Sequence, residues 1–367
     1  MRIKNGLVFG EDHKMSQRDL CFENGVITEN SQSGEFDAAG YYVLPGFIDT
    51  HIHGANMIEF YSSEFEGLPT PALDYLSTQG VTSILPTFAT CKTEEYERDT
   101  IRLLSTEDDR ILGIHCEGPF VNPVRMGGMQ PEKLQLPNME IPNIIQQNSG
   151  NMLKIVSMSP ELEGASEVIK QLVAMGVKVS IAHTDASYEQ ALAAVEMGAT
   201  RLTHTFNAMR PFTHRDTGVL GCALTDDRVE CELICDMHHV SPAAVKLVVK
   251  AKGIDRVTMI SDCCFFCGVP EGPYEFNGRV LYVEGGFAKL PNGTIAGSAC
   301  SLATGAKNMF NLGFKPEEIA VMACVNPARA ADCKDRGELK IGYRADVILL
   351  DKDFNVKHVF VKGKQIK

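Results

Sequence analysis

Two histidines one residue apart, His51 and His53, close the apolar run GFIDTHIHG. Side chains alternate faces along a strand, so both imidazoles project to one side and can share a metal ion. Alone, such a pair is a weak signal and reads by default as two structural histidines. Five further groups of the same chemical kind also sit where apolar runs end. Glu117 closes ILGIHCEG, His183 lies in VKVSIAHT, His204 in RLTHTFN, His239 in CELICDMHH, and Asp262 closes RVTMISD. Two imidazoles and one carboxylate form a ligand set that leaves positions open for water and substrate, and Glu117, His183 and His204 supply one. Asp262, acceptor-only when ionised, is suited to take a proton from an attacking water. His115 shares a strand face with Glu117 and reads as a ligand, a support or packing. His214 and His238 read as pocket neighbours or surface groups, and His13 and His358 as surface groups.

Such residues act together only if the fold delivers them to one place. Eight short runs rich in Val, Ile and Leu recur along the chain, at 46–54, 81–87, 111–118, 154–161, 177–184, 201–207, 231–239 and 256–262. Helical spacing appears between them at 70–79, 93–105, 163–175, 187–197 and 241–252. Eight strands alternating with helices predict an α/β protein, a (β/α)8 barrel of the TIM type, whose active site lies where the strands end. The barrel is expected over 46–327. Short alternating runs in 1–45 and 328–367 predict a small β-sandwich built from both termini. Three longer excursions, 118–151, 207–230 and 263–300, are expected to be loops over the active-site face.

The chain has 367 residues, and its 35 Lys+Arg against 47 Asp+Glu give a net charge of −12, which disfavours nucleic acid and anionic membranes as partners. An anionic substrate must then be drawn in by local groups. Apolar residues at 44% and charged residues at 22% are ordinary for a protein with a sizeable core and argue against disorder. No apolar run approaches 18 residues and no signal-peptide pattern opens the chain, so a cytoplasmic protein is expected. Twelve scattered cysteines read as buried packing in a reducing compartment. Cys264 and Cys267 have CxxC spacing but no second pair, which favours packing over zinc or redox chemistry.

Taken together, PGFIDTHIHG, HCEGPF, AHT, THTFNAM, ISD, IAGS and the closing ADVILLD resemble the amidohydrolase superfamily, and within it the N-acetylglucosamine-6-phosphate deacetylase family. The resemblance spans nearly the whole chain, with HCEGPF and THTFNAM its specific elements. It implies hydrolysis of the N-acetyl group of a phosphorylated amino sugar by a homodimer. It also implies one or two divalent ions per subunit, zinc or iron first, with cobalt, nickel or manganese as alternatives. By position it makes Glu117, His183 and His204 the primary ligands, His51 and His53 a pair that supports a second ion, and Asp262 the catalytic carboxylate. Asn207, Ala208, Arg215 and His239 fall on substrate-contacting positions, with Arg215 on the phosphate, and Ile295, Ala296, Gly297 and Ser298 form a substrate-side loop. One departure stands at Gly127-Gly128-Met129: Gly128 and Met129 replace a small residue and a histidine near the sugar, and Met cannot donate a hydrogen bond. A divalent ion polarises the amide and activates water, while Asp262 takes the proton and returns it to the departing amine. Two other substrates fit the same residues, a different N-acyl amino sugar such as N-acetylgalactosamine 6-phosphate, or a cyclic amide. Cyclic-amide members carry a lysine at the fourth strand end, where this chain reads SMSPE.

Overall fold

The computed structural model describes the chain except residues 62–66, 277–278 and 292–294 and, beyond these, the side chains of Phe276, Arg279, Ile295 and Ala296. Eight parallel strands run in sequential order: β1 (Phe47–Ile52), β2 (Val81–Phe88), β3 (Ile114–Glu117), β4 (Leu153–Met158), β5 (Lys178–Ile181), β6 (Ala199–Leu202), β7 (Glu230–Ile234) and β8 (Val257–Ile260). Every residue of β1 and β2 is buried, as expected of strands covered on both faces. A helix follows each strand: α1 (Thr70–Thr78), α2 (Thr93–Leu104), α3 (Glu140–Asn148), α4 (Ala165–Ala174), α5 (Tyr188–Glu196), α6 (Gly218–Thr225), α7 (Pro242–Lys252) and α8 (Leu302–Asn311). Local chemistry sets several of their ends. Ser187 and Gln190 form a reciprocal cap at the start of α5, and Ser241 accepts from Ala244 N ahead of Pro242 in α7.

The barrel closes through its mouth. Asp262 N donates to His51 O (3.0 Å) and His53 N donates to Cys263 O (2.8 Å), joining the end of β8 to the end of β1. At the opposite end of β1, a Cβ on Gly46 would lie 2.1 Å from Thr82 Oγ1, so only glycine lets the chain enter the barrel against β2.

The termini form two sheets. A four-stranded sheet takes its strands from Arg2–Lys4, Leu20–Glu23, Val26–Thr28 and Glu35–Asp37. A six-stranded one combines Leu7–Phe9, Met15–Gln17 and Tyr42–Pro45 with Val347–Leu350, Val356–Val361 and Lys364–Gln365. Ile3, Phe22, Val43, Val347 and Phe360 share one apolar core between them.

The three excursions differ from the loops expected of them. The first holds α3, and the second holds α6. The third contains a four-stranded antiparallel sheet made by Gly272–Phe276, Arg279–Glu284, Phe287–Lys289 and Ile295–Ser298. In α6 six of the eight residues are buried, so its sequence lacks the polar face that marks a helix. In α3 a proline occupies the first turn, where it is tolerated but reads as a breaker.

Candidate active site

Where the strands leave the barrel, His183 (φ 45°), His204 (φ 29°) and Asp262 (φ 50°) adopt the left-handed backbone conformation. For residues with a side chain this costs on the order of 1–2 kcal/mol each, so packing elsewhere must hold these turns. They direct three polar side chains onto the end of β3. Glu117 Oε1 lies 3.1 Å from His183 Nε2, 3.0 Å from His204 Nε2 and 3.5 Å from His51 Nε2, while Oε2 lies 3.4 Å from His53 Nε2. Asp262 Oδ1 sits 3.4 Å from His51 Nε2 and 3.2 Å from His53 Nε2. Glu117 is thus shared between two groups, Glu117/His183/His204 and His51/His53/Asp262, whose donor atoms each fall within one ion's reach.

Hydrogen bonds on the far side of the rings decide whether these nitrogens can ligate. His53 Nδ1 meets Thr87 O (3.1 Å), His183 Nδ1 meets Arg125 O (2.9 Å), and His51 Nδ1 meets Glu232 Oε2 (3.1 Å). Each partner is an acceptor, so Nδ1 carries the hydrogen and the neutral ring presents an Nε2 lone pair to the centre. His51 Nε2 is fully buried with no hydrogen-bond partner, and His183 Nε2 stands 3.0 Å from His204 Nε2. Converging nitrogen and carboxylate donors with one orphaned lone pair fit a divalent cation.

The field of the site agrees. Burial opposes a charge on His51, yet Asp262 and Glu117 hold its imidazolium well above the usual range. Burial likewise opposes charge on His53, and hydrogen bonds to Asp262 and Glu117 outweigh it, raising it to about 9. Against burial, the His51 charge and the surrounding histidines keep Glu117 well below the carboxylate range. Carboxylates that stay ionised here and hold positive charge on the neighbouring rings in the metal-free protein also attract a metal cation.

Beneath the mouth lies a buried layer that sequence reading missed. Arg201 Nη1 donates to Glu230 (2.7 Å) and Nη2 to Glu232 (3.2 Å), and Glu230 also accepts from Thr258. Glu232 is wholly buried and, despite that burial, is lowered to about 2 by His51 and Arg201. The signal was present in Glu230-Cys231-Glu232, two carboxylates on one face of an otherwise apolar strand. His115 belongs to this layer and is a support, its Nδ1 on Thr50 O (3.0 Å) and its Nε2 on Ser157 Oγ (2.7 Å). Burial and the His51 charge push it down to about 3, so it stays neutral.

A cavity of about 770 Å³ opens above these groups. Asn207, Ala208, Gly128, Met129, His239 and Gly297 line it with His53, Glu117, His183, His204 and Asp262. His239 is oriented by Asp236, whose Oδ2 lies 2.6 Å from Nδ1. Ser298 is buried behind the wall, its carbonyl accepting from Cys264 N (3.1 Å). The side chains of Ile295 and Ala296 lie outside the described residues. Arg215 and His214 are exposed in the segment between β6 and α6, and neither is among the described residues that line the cavity. His238 is exposed and packs on Phe287 at 4.6 Å. All twelve cysteines are free, ten of them buried.

The chain is 32% identical to an N-acetylglucosamine-6-phosphate deacetylase of Lysinibacillus sphaericus, over 100% of this chain and 97% of that protein. It is 33% identical to an N-acetylgalactosamine-6-phosphate deacetylase of Escherichia coli, over 88% and 87%. The fold superposes on the crystal structure of the N-acetyl-D-glucosamine-6-phosphate deacetylase of Mycobacterium smegmatis with a TM-score of 0.91, at 29% identity and full coverage of both chains. The model of the amidohydrolase family matches residues 42–366, the whole barrel and the three C-terminal strands of the six-stranded sheet included, and the chain belongs to that family.

Proposed function

We propose that this chain hydrolyses the N-acetyl amide of N-acetylglucosamine 6-phosphate, releasing acetate and glucosamine 6-phosphate. The observation that carries the reading is the sharing of Glu117 between the His183/His204 pair and the His51/His53 pair, with Asp262 beside them at the floor of an open cavity. Glu117, His183 and His204 would hold one divalent ion, zinc or iron by donor type, and His51 and His53 beside Glu117 a second. When bound, the ion supplies Lewis acidity for the amide carbonyl and acidifies water.

The chain's own residues do the rest. Asp262, with Oδ1 beside His51 and His53, takes a proton from the attacking water and passes it to the departing amine. His239, held by Asp236, is placed to donate from Nε2 to the substrate. Asn207, Ala208 and the backbone at Gly128, Met129, Ile295, Ala296 and Gly297 contact the sugar, with Ser298 buried behind them.

Arg215 is the phosphate ligand in this reading. It is exposed outside the cavity of its own chain, and this reading has the loop after β6 reach the pocket of a second copy in a homodimer. The barrel, taken as 46–327, carries the chemistry, and 1–45 with 328–367 form the small domain. No described helix is long and apolar enough to cross a membrane, and twelve free cysteines support a reducing cytoplasm.

Release of acetate from N-acetylated glucosamine and galactosamine, each with and without the 6-phosphate, tests the assignment. The phosphorylated gluco compound is expected to be cleaved fastest. Preference for a non-phosphorylated sugar would overturn the substrate assignment, and preference for the galacto epimer would replace it with the second relative's activity.

A further inference from the structure

The segment after β8 sets a wall beside Asp262 that offers nothing to a sugar hydroxyl or a phosphate. Cys264 lies two residues beyond Asp262, and Phe265 and Phe266 follow it. With Leu281 and Leu290 of the antiparallel sheet they form one apolar cluster, and all five line the cavity. The wall is pinned on both sides: Met57 N donates to Phe265 O (2.8 Å), Asn56 N to Cys267 O (2.8 Å) and Cys264 N to Ser298 O (3.1 Å). The Cys264 thiol is directed at Ser298 O (3.5 Å) and is not offered to a ligand.

A hydroxyl laid on this surface would exchange water for no partner, whereas an alkyl group gains by leaving water. An N-acylated sugar phosphate has a single apolar appendage, the alkyl part of its acyl group. That appendage departs from the carbon being attacked, close to Asp262, which is where the wall begins.

Resting on the deacylase reading above, we propose that the site accepts, beside acetyl, N-acyl groups longer than acetyl, with the alkyl chain lying along Phe265, Phe266, Leu281 and Leu290. Bond chemistry is unchanged. Water adds its hydroxyl to the carbonyl carbon as the C–N bond breaks, its proton reaches the amine through Asp262, and a short-chain carboxylate leaves in place of acetate.

The test uses the full-length metal-loaded protein with N-acetyl, N-propanoyl, N-butanoyl and N-hexanoyl glucosamine 6-phosphate, following release of the free amine. Burial of each added methylene is expected to raise kcat/KM about fourfold from acetyl to butanoyl. Leu290 is half-buried on the cavity side, so Leu290→Asn is expected to lower the butanoyl-to-acetyl ratio by about fourfold or more while the folded protein survives. Loss of rate with each methylene, with the acetyl compound still cleaved, overturns the inference and leaves the deacylase reading in place. A ratio unmoved by Leu290→Asn also overturns it. Cleavage of none of the four overturns both.

Discussion

Glu232→Gln isolates what the buried layer does for the site. Glu232 Oε1 accepts from Arg201 (3.2 Å) and Oε2 from His51 Nδ1 (3.1 Å), so two donors share one carboxylate. Glutamine keeps the shape and supplies a single acceptor oxygen. Arg201 is always charged and is 2% exposed, so it holds that oxygen and the amide N–H2 turns toward His51. An N–H donor facing Nδ1 reverses the ring: Nδ1 becomes the acceptor, Nε2 takes the hydrogen, and the lone pair aimed at the metal site is lost. Removing such an orienting partner costs about 10–100-fold in metal affinity, or roughly 1.4–2.7 kcal/mol. The loss should fall on the site formed with His51 and His53, while Glu117, His183 and His204 keep their ion. Metal content after dialysis against graded chelator, together with 15N shifts of the His51 ring in the metal-free variant at a pH high enough to deprotonate its imidazolium, checks both halves. Full metal content with His51 still protonated at Nδ1 would refute the reasoning.

Asp262→Asn should keep its metal and its fold yet lose about 10²–10⁴-fold in kcat, since only proton transfer is removed; kcat near the parent value eliminates it as the base. Glu117→Gln, which touches all four histidines, should lose metal and activity together, whereas His51→Asn should retain the His183/His204 ion; elemental analysis of both decides, and the reverse pattern exchanges the two sites. Arg215→Ala should raise KM for a 6-phosphorylated substrate and leave its non-phosphorylated analogue unchanged, so equal effects on both would remove Arg215 from the phosphate. With burial outweighed by its carboxylate partners, His53 is protonated up to about pH 9 in the metal-free protein and must give up that proton to ligate. Metal affinity should therefore climb as pH rises toward 9, with protons released on binding. Calorimetry in buffers of different ionisation enthalpy measures that release, and a buffer-independent heat would contradict it.

All eight barrel strands are visible in the sequence because a strand covered on both faces reads as an apolar run, and its first polar residue marks the mouth. Glu117, His183, His204 and Asp262 stand out for that reason. Glu232 and Arg201 do not, since they lie inside such runs and their pairing joins neighbouring strands 31 residues apart. The helix at 218–225 carries no amphipathic period because its surroundings are apolar nearly all round. The strands at 272–298 alternate, yet their Gly and Pro content gave them the look of a loop. Arg215 shows the opposite limit: its charge is obvious, but where a surface loop points depends on what it meets.

The hydrogen bonds from Asp262 to His51 and from His53 to Cys263 make candidate site residues the fastening of the ring itself. Cys263 and Gly54, joined at this seam, are 209 residues apart in the chain. Glu117, His183 and His204 come from strands that can be laid down in succession, whereas His51 and His53 meet Asp262 only when the last strand finds the first. Assembly of the two halves of the centre is thereby ordered in time, with the half across the seam arriving last because its loop is the longest to close. An ion held by His51 and His53 beside that seam would act as a clasp, tying each local opening of the ring there to its own release. Amide exchange at His53 and Asp262 should slow when the clasp is loaded, while strands on the far side of the barrel exchange as before.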